Sequence, residues 1–136
     1  MNTEDNRALI TEMYAAAKRG DFESFFAVIS PDVVVTEPHF LPYGGSYHGL
    51  DGLERLFSDV TQILDLPNLT VDRLIADGDH VLGLIRVPIA GTDSEVNLAE
   101  LSIIEDGKVV EMRIYFHDAG MLALRSPATR PVSRTP

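Results

Sequence analysis

The chain has no cysteine. That absence removes disulfides, thiolate nucleophiles and cysteine zinc sites together. It also lacks any run of about 18 apolar residues, the length a membrane-crossing helix needs. Positive charge is scarce: Lys and Arg number 11 against 21 Asp and Glu, a formal net charge of −10. Nucleic acid is therefore not an expected partner, because phosphate binding requires a basic face. No Gly-rich phosphate loop, Gly-x-Ser-x-Gly elbow or His-Glu-x-x-His spacing occurs, and no internal repeat is visible. On these grounds neither a metal nor a cofactor is expected. The N-terminus, Met1-Asn2-Thr3-Glu4-Asp5, is polar and acidic and does not look like a signal peptide. With the missing cysteine, that fits a cytoplasmic protein without membrane contact.

What is present is a core. Of 136 residues, 45 % are hydrophobic, enough for one globular domain. A first helix is expected from about Glu4 to Arg19, with Asn2 or Thr3 as cap and Leu9, Ile10, Met13, Tyr14 and Ala17 on one face. Gly20 stops it, and Asp21 caps a shorter helix burying Phe22, Phe25, Phe26 and Ile29. Pro31 and Asp32 turn the chain into a strand. A third helix starts near Leu50 and ends at Pro67, with Leu53, Leu56, Phe57, Val60, Ile63 and Leu64 as its stripe.

The period then changes to two. Leu69, Val71, Arg73 and Ile75 alternate with their neighbours; further strands follow at His80–Ala90, Ser94–Ile104 and Lys108–His117, the last pair joined by the Asp106-Gly107 hairpin signal. Asp118 is a cap for a short final helix reaching Arg125. Helices segregated from an antiparallel meander give an α+β domain over residues 1–125. Ser126–Pro136, with three prolines and two arginines, reads as a disordered tail.

Chemistry concentrates in residues 33–49. Val33 to Thr36 form a strand, and Glu37 sits where Pro38 must end it. His39, Phe40, Leu41 and Tyr43 follow in an apolar loop closed by Gly44-Gly45. A carboxylate at a strand end among apolar side chains is a candidate general base with a raised pKa. The bland alternative is a solvated strand-end carboxylate. Glu100 is in phase with Val96, Leu98 and Ile104, so it lies on an apolar face and needs a partner or a proton. Tyr14 is either a core tyrosine or a site residue. Metal ligation by His39, His48, Glu37 and Asp51 matches no known spacing.

Four segments in this order resemble the nuclear-transport-factor-2-like superfamily, in particular its ketosteroid isomerase and SnoaL-like polyketide cyclase branches. They are Tyr14-Ala-Ala-Ala-Lys-Arg-Gly-Asp-Phe, Ser30-Pro-Asp-Val-Val-Val-Thr-Glu-Pro, Leu41-Pro-Tyr-Gly-Gly-Ser-Tyr-His-Gly and Gly107-Lys-Val-Val-Glu-Met-Arg-Ile-Tyr-Phe. The resemblance spans about residues 4 to 124. It implies a curved antiparallel sheet wrapped around three N-terminal helices, a cone with an internal pocket.

It also implies roles. Glu37 matches the isomerase base, Tyr14 the oxyanion-hole tyrosine, and Glu100 the protonated oxyanion-hole acid. His117, in Phe116-His117-Asp118-Ala119-Gly120, stands where the cyclases carry an acid–base aspartate. Leu98 stands where the epoxide-hydrolase branch has an arginine. The pocket would be lined by His39, Phe40, Tyr43, Tyr47, Phe57, Leu98, Met112, Ile114 and Phe116. Strict alternation, however, puts Met112, Ile114 and Phe116 on one face and Arg113, Tyr115 and His117 on the other.

The function expected is a cofactor-independent isomerase, cyclase or dehydratase acting through an enolate on an apolar, carbonyl-bearing, cyclic or polyketide-like molecule. A non-catalytic ligand-binding module and an epoxide hydrolase are the alternatives. The outer sheet face, with Leu84, Arg86, Leu101, Ile103, Arg113 and Tyr115, is expected to form a homodimer.

Overall fold

Asn2 starts the first helix. Its side chain accepts from the Asp5 N–H while the Asp5 carboxylate accepts from the Asn2 N–H, a reciprocal cap. In the computed structural model, which describes residues 2–123, this helix is α1 (Thr3–Lys18). It buries Ile10, Met13, Tyr14, Ala16 and Ala17. Gly20, at φ +74°, ends it, and Asp21 caps α2 (Phe22–Ala27) by accepting from the Ser24 N–H at 3.1 Å.

Strand β1 (Ile29–Glu37) begins earlier than the sequence suggests. Ile29 belongs to it rather than to the second helix, and Pro31 and Asp32 lie inside it. Pairing slips between Ile29 and Val34, and this irregularity holds the exposed Pro31, which has no N–H to give a ladder. A four-residue strand, β2 (Gly45–His48), pairs antiparallel with β1 where a turn was expected. It is short, glycine-led and only half-buried, so it carries no apolar alternation. Helix α3 (Gly49–Ile63) then buries Leu53, Leu56, Val60 and Ile63, and a 3-10 turn follows at Leu66–Asn68.

Four strands complete the sheet: β3 (Thr70–Asp77), β4 (His80–Pro88), β5 (Glu95–Glu105) and β6 (Lys108–Phe116). The order is β2-β1-β6-β5-β4-β3. β1 runs parallel to β6 and every other pair is antiparallel, so the sheet is mixed rather than purely antiparallel. The α+β cone with its open sheet around three helices stands. In β3 the register shifts between Val71 and Arg73. Beyond that bulge Leu74 and Ala76 pack on the core, while Arg73 and Ile75 face outward and Ile75 is 47 % exposed. The expected alternation of Leu69, Val71, Arg73 and Ile75 therefore breaks halfway.

The core lies between α1, α3 and the inner sheet face, where Ile85, Val87, Val109, Met112 and Ile114 meet Ile10, Met13 and Leu53. Each such side chain contributes about 1.5–3 kcal/mol on burial. A short helix, α4 (Gly120–Ala123), starts where the Gly120 N–H donates to Asp118 Oδ1 at 3.1 Å. The expected tail, and the expected end of this helix at Arg125, lie outside the described residues. Among the described residues no helix is long and apolar enough to cross a membrane.

Candidate functional site

The alternation that buries Val33 and Val35 continues to Glu37, which is 6 % exposed at the last position of β1. Its Oε1 has no hydrogen-bond partner. Glu100 stands mid-way along β5, opposite Gly83 of β4 and Ile114 of β6, and faces the same interior. Tyr14 reaches down from α1 and its hydroxyl donates to Glu100 Oε1 at 2.6 Å.

Gly83 makes that contact possible. A Cβ there would lie 2.8 Å from the Tyr14 hydroxyl oxygen, so the ring rests where a side chain would be. The sequence reading missed Gly83; the available signal was a glycine inside a strand, which marks close approach of another group.

These residues enclose a cavity of about 90 Å³. Tyr14, Glu37, Tyr43 and Glu100 supply its polar groups, and Phe57, Leu98, Met112, Ile114 and Phe116 are among its apolar walls. No lysine, arginine or histidine is among the lining residues.

Burial dominates the electrostatics. It pushes Glu37 well above the ordinary carboxyl range, and the neighbouring Glu100 charge pushes it further. Glu100 is also raised by burial, but the Tyr14 hydrogen bond opposes that rise. Hydrogen bonding to the charged form favours it, so Glu100 ionises first and Glu37 keeps its proton longer. Two carboxyls so placed titrate as a pair. Burial, and then the Glu100 charge, hold the Tyr14 phenol well above its usual value. Tyr43 is likewise raised, by burial first and then by the charges of Glu37 and Tyr47.

Not every expected residue reaches the cavity. His39 and Phe40 occupy the exposed crest of the loop after Pro38, with Phe40 62 % exposed, because Leu41 takes the inward position. Tyr47 lies outside it: its hydroxyl donates to the Tyr43 carbonyl at 2.8 Å, and the Arg55 guanidinium sits 5.8 Å from its ring centre. His117 is exposed on the outer face, where strict alternation puts it, with Leu84 and Tyr115 beside it. No bulge turns it inward. Among the described residues, no group of three or more potential metal ligands gathers.

The model of the SnoaL-like domain family matches residues 10–112, the span that holds Tyr14, Glu37, Gly83 and Glu100. The chain belongs to that family. Solved structures agree on the NTF2-like fold. An NTF2-like protein from Burkholderia thailandensis is 26 % identical, over 96 % of this chain and 100 % of that one, with a TM-score of 0.78. TerC, co-crystallised with polyporic acid, is 21 % identical over 89 % of this chain and 99 % of that one, TM-score 0.76. A candidate ketosteroid isomerase from Kribbella flavida is 22 % identical over 98 % and 92 %, TM-score 0.67. No curated protein matches this SnoaL-like chain.

Proposed function

We propose that the protein is a cofactor-independent acid–base enzyme that takes a proton from the carbon α to the carbonyl of a small, neutral compound, through an enolate. One observation carries this reading: two carboxyls, one hydrogen-bonded by a tyrosine and one with an unpartnered oxygen, face a single apolar cavity. Leaving a buried polar atom unsatisfied costs about 1–3 kcal/mol. A protein needing only a core has no use for Glu37 there.

The pair shares one proton. In the empty cavity that proton rests on Glu37. A substrate carbonyl oxygen docked against Tyr14 and Glu100 calls for donors at that end, so binding draws the proton to Glu100. Glu37 is then the free base beside the carbon α to the carbonyl. It takes the α-proton, and the C–H electron pair moves into the enolate. The enolate oxygen receives hydrogen bonds from Tyr14 and Glu100, which act where the charge develops. Return of the proton from Glu37 to another carbon gives isomerisation; its delivery to a β-hydroxyl that leaves as water gives dehydration; attack of the enolate carbon on a second, distant carbonyl, whose oxygen takes the proton, gives cyclisation. The absence of a basic group at Leu98 or elsewhere in the lining supports this over opening of an epoxide.

The test follows α-proton exchange of small ketones in D₂O by NMR. Wild type should exchange them and Glu37→Gln should lose about 10²–10⁴-fold in rate while still binding. Full exchange by Glu37→Gln would sink the proposal.

A further inference from the structure

Tyr43 is the polar group that the reaction above does not use. It is 1 % exposed, it lines the cavity, and its hydroxyl has no hydrogen-bond partner. Tyr14, by contrast, already donates to Glu100.

The backbone goes to some length to hold Tyr43 there. The Leu41 N–H donates to the Pro38 carbonyl at 3.2 Å, and the Gly44 N–H to the Leu41 carbonyl at 2.9 Å. Tyr47 grips the Tyr43 carbonyl from the other side. Gly44 lies so close to the turn that a Cβ on it would sit 2.2 Å from the Pro38 carbonyl oxygen. The backbone that carries Tyr43 is thus held in place, and its hydroxyl is buried. An orphaned phenol costs about as much as any unsatisfied buried group, about 1–3 kcal/mol, and phenylalanine would avoid that cost.

Resting on the proposed enolate chemistry, we infer that Tyr43 donates a hydrogen bond to a second oxygen of the substrate, distinct from the carbonyl held by Tyr14 and Glu100. The substrate class is then a neutral β-oxygenated ketone, a hydroxy ketone or its cyclic equivalent. Charge supports neutrality, since a carboxylate would enter a cavity with two acids and no cation. Size supports a small molecule. The cavity's volume is about 90 Å³, against about 150 Å³ for an apolar cavity that admits benzene. The raised phenol stays protonated and serves as a donor rather than a base.

The test compares matched ketones with and without the second oxygen. Cyclohexanone is paired with 3-hydroxycyclohexanone, and butan-2-one with 4-hydroxybutan-2-one for a cavity too narrow to admit a ring. Affinity is measured by NMR shift titration, and α-proton exchange on the same samples. Wild type should bind a hydroxy ketone about 10-fold more tightly than its parent, and Tyr43→Phe should erase that preference with the parent ketone unaffected. Equal affinity within both pairs, or affinity for none of the four, overturns the inference. So does an equal loss for both members in Tyr43→Phe, which would place the hydroxyl at the reacting carbonyl. A shifted pH profile with the preference intact would mean that Tyr43 only positions Glu37. If the hydroxy preference is present but wild type exchanges no proton, the enolate reading fails and the Tyr43 assignment survives.

Discussion

The two faces of one sheet treat the same side chains in opposite ways. On the inner face, Glu37 and Glu100 meet apolar walls and each other, and both are pushed toward the neutral acid. On the outer face, Asp72 meets Arg86 at 2.9 Å, and Arg86 also reaches Glu95 at 3.6 Å. Arg86 holds Asp72 below the usual carboxyl range. Arg113 pairs with Glu111 nearby. Water screens these outer pairs, which are worth little to stability. The inner pair is unscreened and uncompensated. Which carboxyl is raised and which lowered is thus decided by strand parity rather than by residue type.

The sharpest way to break this comparison is to neutralise the inner pair. With one shared proton, kcat/KM should follow a bell-shaped pH curve, falling where both carboxyls are protonated and again where both are ionised. Glu37→Gln should remove the bell along with the activity. A profile that rises through a single ionisation would show that the carboxyls act independently.

Next in size is Gly83→Ala. The new methyl should lift Tyr14 from Glu100 and cost about 1.5–3 kcal/mol, the worth of a hydrogen bond to a charged group, read by urea unfolding. Tyr14→Phe removes the nearest contact at 2.8 Å but leaves ring carbons at 3.2 and 3.3 Å, so the double variant should lose less than the sum of the two single losses. Additive losses would separate the two residues.

The third prediction concerns stability against pH, where the faces should pull in opposite directions. Glu37 and Glu100 bind protons more tightly folded than unfolded. Their contribution is complete below the ordinary value of 4.5 and is lost as pH rises through the raised folded values. Asp72 is the reverse: its contribution is present above the ordinary value of 3.8 and is lost as pH falls through the lowered one. Melting curves of a Glu37→Gln, Glu100→Gln double variant should therefore lose the downward slope above pH 4.5. Asp72→Asn should alter only the acid end, and slightly.

The smallest effect on the site itself is expected from the outer face. We propose that Leu84, Leu101, Ile103 and Tyr115 pair two copies of the chain, since Tyr115 alone is 48 % exposed. Leu101→Asp should give a monomer on gel filtration with the cavity chemistry intact. A wild-type monomer would remove the dimer.

Glu100 was legible because it lies in phase with Val96 and Leu98, both of which pack on the core. Glu37 was legible because proline fixes where β1 stops. His117 was misplaced by likeness and would have been excluded by parity alone. The bulge in β3 was hidden, since a register slip has no residue signature there beyond the charged pair Asp72-Arg73. β2 was hidden because it has four residues, led by glycine, of which only Tyr47 is both apolar and half-buried. Gly83 and the orphaned Tyr43 hydroxyl depend on contacts between distant segments, which no local pattern records.

The position of β1 between β2 and β6 has a consequence in time. β2 follows β1 within a few residues, but β6 begins only at Lys108. A ribosome adding about 5–20 residues per second needs roughly 4–14 s to travel from Glu37 to that strand. Through this interval β1 is an apolar ribbon with one open edge, and Glu37 has no chamber around it. A chain halted before Lys108 would own α1, α2, α3 and both acids, yet lack the Met112, Ile114 and Phe116 wall of the cavity. The enclosure around Glu37 is completed only once β6, which begins at Lys108, has been made.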